Sequence, residues 1–154
     1  MYNRFQLAKK YLHYYFTASN GKGHGIHSPF VFDFVKNVLR DKTENNWYLI
    51  IETARQKLLK QKAEIEVVDL GAGSAVMKTN KRAVADIARS SLKPKKFSQL
   101  LYRMANYYQP ETILELGTSL GITTSYLAAA DPNAKVYTIE GSPAIANIAQ
   151  ITFD

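Results

Sequence analysis

Three features of the last third of the chain occur in an order suited to binding a nucleoside. An apolar segment ending at Leu116 leads into the glycine turn Gly117–Gly121, the run TTSYLAAA follows, and a second apolar segment runs up to Glu140. A glycine turn lets a ligand approach the backbone, and the free amides at the start of a helix attract its anionic group. A carboxylate at the end of the next strand can accept hydrogen bonds from ribose hydroxyls. This order predicts a nucleoside-cofactor site.

A second glycine loop, VVDLGAGS at residues 67–74, competes for this role. After Gly73 the chain enters a helix-like segment that contains Asp86, and neither a strand nor a strand-end acid follows. Because the site needs all three features, the loop at Gly117–Gly121 is the better prediction. The first loop could still shape the active site, through Asp69, Gly71, Gly73 and Ser74.

The glycine spacing argues against a dinucleotide. A dinucleotide loop follows the pattern G-x-G-x-x-G, and this chain has Gly117, Ser119 and Ile122 at the three glycine positions. The middle glycine, which lets a pyrophosphate approach the backbone, is therefore missing. A cofactor without a pyrophosphate tolerates Ser119.

The segment resembles class I S-adenosylmethionine-dependent methyltransferases. Their first motif, E-x-G-x-x-x-G, is matched by Glu115, Gly117 and Gly121, and their second, a strand-end acid, by Glu140 in YTIEGSP. The resemblance covers roughly residues 91–154, where the order of elements is most similar to the small-molecule O-methyltransferases of the catechol-methylating kind.

The resemblance implies a role for each matching residue. The two glycines would let the backbone approach the methionine part of S-adenosylmethionine, and Glu115 would orient the loop and the cofactor's amino group. Thr118 and Ser119, with the amides of residues 119–122, would face the cofactor's carboxylate. Glu140 would bind both ribose hydroxyls.

The same resemblance implies a truncated domain. The family's sheet has more strands than the two expected here, and ITFD breaks off without a helix cap. The adenine wall and the catalytic groups would lie beyond Asp154, so no catalytic residue is identified. The full-length protein would methylate a small-molecule acceptor. The 154-residue chain would be inactive and would associate with itself as a homo-oligomer or by domain swapping.

Hydropathy periodicity predicts a mixed α/β fold whose first part, residues 1–90, is mainly helical. Serine caps a helix well and proline suits its first turn, so Ser28-Pro29 predicts a helix start. Helices are also expected at residues 3–18, 47–62 and about 80–90, with a short strand and glycine loop near 64–74.

The second part, residues 91–154, is expected to be the N-terminal portion of a Rossmann-like methyltransferase domain. Strand, crossover helix and strand predict a parallel pair of the βαβ kind. The expected elements are a helix at 96–108, a buried strand at Thr112–Leu116, a helix at 122–130, a strand at Lys135–Ile139 and a helix capped by Ser142.

Composition and charge limit the classes of protein to which the chain could belong. The chain has no cysteine, which excludes disulfides and thiolate metal sites and fits a cytoplasmic protein. Its first residues do not resemble a signal peptide, and no membrane-spanning segment is expected. The net charge is +7, and residues 1–110 hold 19 basic and 8 acidic side chains, a net +11. This bias leaves open an alternative, a nucleic-acid methyltransferase or a basic nucleic-acid-binding module.

Two further groups could serve function. His24 and His27 lie in a glycine-rich loop and could belong to a lid, but their spacing alone does not predict a metal site. The aromatic side chains Tyr11, Tyr14, Tyr15 and Phe16 could line a pocket, although such stripes more often form a core.

Overall fold

A computed structural model describes residues 3–17, 28–67 and 80–153 of the chain. The fold is mixed α/β and mostly helical, and in these ranges it contains two sheets of two strands each. The chain forms two compact units, residues 1–41 and 42–154. The expected boundary after residue 90 falls inside the second unit and stays a prediction. The loops that hold His24 and His27, and Asp69 to Ser74, lie outside the described residues.

The described residues of the first unit form two helices, α1 (Arg4–Thr17) and α2 (Pro29–Asp33), the second continuing as a π-helical turn over Phe34–Leu39. The predicted start of α2 is confirmed, since the Ser28 side chain accepts a hydrogen bond from the Val31 amide. Helix α1 is also confirmed. Its aromatic side chains are exposed, so the expectation that they form a core is wrong for Tyr11, Tyr14, Tyr15 and Phe16.

Within its described part, the second unit has five helices: α3 (Asn46–Lys60), α4 (Val84–Ser91), α5 (Lys95–Tyr108), α6 (Ile122–Ala130) and α7 (Pro143–Phe153). The Asn45 side chain caps α3 by accepting a hydrogen bond from the Trp47 amide at 2.9 Å. Apolar side chains from α3, α4, α5 and α6 meet in one buried cluster, which includes Ile51, Ile87, Tyr102 and Tyr126. Helix α6 therefore lies against the core while its first turn faces the glycine loop.

A short antiparallel pair joins β1 (Glu64–Glu66) to β2 (Lys81–Ala83). The strand predicted from residue 64 is thus confirmed over its first three residues, and residues 68–70 lie outside the described part. The helix expected from about residue 80 begins only at Val84. Residues 81–83 are extended instead because they pair with β1.

The parallel pair β3 (Thr112–Leu116) and β4 (Lys135–Ile139) is confirmed, with Leu116 opposite Ile139. The expectation that β3 is buried is wrong for one face. Alternate residues point to opposite sides, and Leu114 and Leu116 are 63% and 77% exposed. Glu115 lies on the covered side, towards α6.

No helix in the described ranges is long and apolar enough to cross a membrane.

Candidate functional site

The glycine loop is folded onto the end of β4. The backbone amides of Gly117 and Thr118 both donate to the Ile139 carbonyl, at 2.9 and 3.1 Å. Because the carboxyl ends of parallel strands meet at one edge of a sheet, the residues that follow β3 and β4 become neighbours. Gly117 and Glu140, separated by 23 positions, therefore lie at the same edge.

Glu140 binds the loop directly. Its Oε2 accepts a hydrogen bond from the Ser119 amide at 2.8 Å, and its Oε1 accepts one from the Ser142 amide at 3.0 Å. Ser119 has a φ of +50°, a left-handed conformation that is uncommon for a serine. The carboxylate thus holds Ser119 in this conformation and keeps lone pairs for further donors, because each carboxylate oxygen can accept two hydrogen bonds.

The Ser142 side chain does not act as the predicted cap of α7. Its carbonyl accepts a hydrogen bond from the Ala146 amide, as expected for the residue before a helix. Its hydroxyl is buried and has no hydrogen-bond partner among the described residues.

The two glycines of the motif meet different surroundings. Gly117 is exposed with φ +93°, and no described heavy atom lies within 4 Å of the position a Cβ would take. Gly121 is buried with φ +83°, and a Cβ there would lie 2.7 Å from Cε1 of Phe153 and 3.3 Å from the Ala149 carbonyl oxygen. Gly117 therefore leaves room for a ligand, whereas Gly121 makes room for α7.

An open cleft of about 370 Å³ lies beside the loop. Four of the six predicted cofactor-binding residues line it, and Gly121 and Glu140 do not. The four are Glu115, Gly117, Thr118 and Ser119.

The cleft also contains polar residues that we did not predict from the sequence. Ser91 at the end of α4, Lys93 between α4 and α5, and Thr123 in the first turn of α6 contribute to its lining. The Ser91 and Ser119 hydroxyls are hydrogen-bonded at 3.1 Å. The position of Thr123 next to Gly121 could have pointed to it, whereas Lys93 is one of 20 basic side chains and has no distinguishing neighbour in the sequence.

Glu115 connects the covered face of the sheet to α6. Its Oε2 accepts hydrogen bonds from the hydroxyls of Thr124 at 2.5 Å and Thr138 at 2.8 Å, and Thr138 is in turn bonded to the Thr118 hydroxyl. This network fixes the carboxylate between β3, β4 and α6, directly beneath the loop.

The amides expected to face a ligand are partly used inside the protein. The Ser119 amide donates to Glu140, and the Gly121 amide donates to the Thr118 carbonyl at 3.0 Å. The other two residues of this run, Leu120 and Ile122, are buried and do not line the cleft.

Comparisons of this chain with protein-family models, curated proteins and solved structures find no match.

Proposed function

We propose that this chain binds S-adenosylmethionine in the cleft beside Gly117, as the cofactor-binding end of a class I-like methyltransferase that acts on a small-molecule acceptor. The observation that carries the proposal is the hydrogen bond between Glu140 and the Ser119 amide. This bond brings the strand-end acid and the glycine loop together at one sheet edge, where Rossmann-like domains bind nucleosides.

The residues at this edge fit the polar groups of the cofactor. Glu140 has lone pairs left to accept both ribose hydroxyls. The open space at Gly117 admits the methionine part. The cofactor's carboxylate would be attracted by Lys93 and the Thr123 hydroxyl in the cleft wall, and by the positive end of the α6 dipole.

When bound, S-adenosylmethionine supplies a methyl group on a positively charged sulfur. The part of this chain is to hold the cofactor so that an acceptor can approach in line, since orientation supplies much of the rate of such transfers. Glu115 is the carboxylate in the cleft lining, but its Oε2 already holds two threonine hydroxyls. We assign it to supporting the loop and not to removing a proton.

The proposal also accounts for the open face of the parallel pair. In Rossmann-like domains helices cover both faces of the sheet, and α6 lies on only one face here. The exposed apolar side chains on the other face would then be covered by further elements of a larger domain: Leu114, Leu116, Tyr137 and Ile139.

A nuclear magnetic resonance titration tests this function on the 154-residue chain, because it detects weak binding. S-adenosylhomocysteine should shift the amide resonances of Gly117, Ser119 and Thr123, and NAD⁺ at equal concentration should not. Equal responses to both ligands, or none to S-adenosylhomocysteine, would overturn the proposal.

A further inference from the structure

Arg55 of α3 is buried, with 7% of its surface exposed, and all three of its nitrogens donate hydrogen bonds. Nε donates to Oε1 of Glu52 at 2.9 Å, and Nη1 donates to the Lys93 carbonyl at 2.8 Å. Nη2 donates to the Ser98 hydroxyl at 3.3 Å. One side chain thus joins α3 to the segment before α5 and to α5 itself.

This arrangement is not explained by stability alone. Desolvation of two charges offsets much of the attraction in a buried ion pair, so such pairs are weak stabilisers compared with apolar packing. The planar guanidinium instead fixes geometry, because its donors point in set directions. Glu52 extends the network, since its Oε1 also accepts a hydrogen bond from the Tyr126 hydroxyl of α6 at 2.9 Å.

The Lys93 carbonyl is where this network meets the cleft. Ser91, Leu92 and Lys93 form the cleft wall that faces the glycine loop, and the Ser91 hydroxyl touches the Ser119 hydroxyl. The Lys93 carbonyl is otherwise contacted by the Ser98 hydroxyl at 3.5 Å, the limit of hydrogen-bond distance. Ser91 and Leu92 are bonded to α4, through the Ile87 and Ala88 carbonyls, so Arg55 is the side chain that holds the Lys93 end of this wall.

We propose that Arg55 is a positioning residue for the cofactor cleft: through the Lys93 carbonyl it holds the Ser91–Lys93 wall at the distance from the glycine loop that ligand binding requires. This role rests on the proposed function. It makes α3, to which the sequence assigned no role, part of the construction of the site.

The Arg55→Lys variant tests the proposal. Lysine keeps the charge next to Glu52 but lacks the fork that reaches the Lys93 carbonyl at the same time. The matched control is Tyr126→Phe, which removes the other hydrogen bond to Oε1 of Glu52 and leaves the Lys93 carbonyl bond in place. Both variants lose a buried hydrogen bond, so both are expected to unfold at lower urea concentration.

Ligand binding separates positioning from stability. In the titration with S-adenosylhomocysteine, the chemical-shift change of the Ser119 amide is followed against ligand concentration. The initial slope of this curve should fall about tenfold in Arg55→Lys, the loss expected when roughly 1.4 kcal/mol of binding free energy is removed. The slope should stay near the wild-type value in Tyr126→Phe. Ser91→Ala, a change at an exposed residue that should not affect folding, is expected to lower the slope as well.

Two outcomes would overturn the role, and they are distinguishable. A wild-type chain that does not respond to the ligand contradicts the proposed function and the Arg55 role together. A responding wild type, with equal slopes for Arg55→Lys and Tyr126→Phe, contradicts the Arg55 role alone. If Arg55→Lys does not fold, a wild-type slope in Ser91→Ala contradicts the role of the wall.

Discussion

Oε2 of Glu140 accepts a 2.8 Å hydrogen bond from the backbone amide of Ser119. Glu140 follows β4, and Ser119 lies in the glycine loop that follows β3, so the bond connects the ends of the two parallel strands. Ser119 is one of the two described non-glycine residues with positive φ. The bond compensates for this unfavourable conformation and holds the carboxylate against the glycine loop. Glu140 therefore has a structural role in addition to the ligand-binding role that the sequence suggests.

The first prediction separates the two glycine loops. Gly117→Val should abolish the response to S-adenosylhomocysteine, because a branched side chain would fill the space beside the backbone, while Gly71→Val should leave it largely intact. Both are measured by the same titration. The reverse pattern would move the cofactor to the loop at residues 67–74.

The second prediction concerns Gly121 and α7. A Cβ at Gly121 would overlap the Phe153 ring, so Gly121→Ala should destabilise the fold by more than the ~1–2 kcal/mol expected for φ alone. Gly117→Ala should lose only the free energy of unfolding that a positive φ costs a non-glycine residue, because nothing lies near its Cβ position. Urea unfolding of Gly121→Ala, Phe153→Ala and the double variant would measure the coupling. Additive losses would mean that the glycine is not needed for α7.

The third prediction is a loss of stability at high pH. Burial, and then the hydrogen bond and charge of Glu52, raise the pKa of Tyr126 far above its ordinary value of 10.0. The folded state keeps a proton that the unfolded state releases, so this contribution is complete below pH 10 and is lost as the pH rises further. Burial also raises the pKa of Tyr102, which adds in the same direction.

Urea unfolding between neutral pH and about pH 11 measures this effect. The free energy of unfolding should fall by up to about 1.4 kcal/mol per pH unit for each such tyrosine above its unfolded pKa. Tyr126→Phe should reduce the slope. An unchanged slope in that variant would show that Tyr126 is not responsible.

The fourth prediction concerns the open face of β3 and β4. Its apolar side chains should cause the 154-residue chain to associate with itself at high concentration. Leu116→Lys should reduce the association. Leu49→Lys is a matched control, because Leu49 is 76% and Leu116 is 77% exposed. Light scattering that shows a monomer at high concentration, or equal effects of both variants, would contradict the prediction.

The sequence predicts local elements better than their surroundings. Helices α3, α5 and α6 follow the apolar periodicity of the sequence, and the parallel pairing of β3 with β4 follows from the helix between them. The extended residues Lys81–Ala83 have no strand-like pattern and were missed, because their conformation depends on β1. The exposure of Leu114 and Leu116 depends on which elements lie above them, which no local pattern encodes.

The sequence predicts which residues of the site lie together better than it predicts what each of them contacts. The glycine loop and Glu140 lie together as the motif spacing predicts. Gly121 matches the same motif, yet it contacts Phe153, 32 residues away in sequence. Arg55 could not be found from the sequence, since the role proposed for it depends on a carbonyl 38 residues further on.

The most direct test of the account is the affinity of the chain for S-adenosylhomocysteine with and without the Glu140 carboxylate. In wild type the ligand should shift the Gly117 and Ser119 amide resonances. Glu140→Ala should reduce the initial slope at least about tenfold, because each charge-assisted hydrogen bond contributes roughly 1.5–3 kcal/mol. Glu140→Gln should reduce it less, since one acceptor remains. Equal slopes in wild type and Glu140→Ala, with both proteins folded, would contradict the proposed cofactor site.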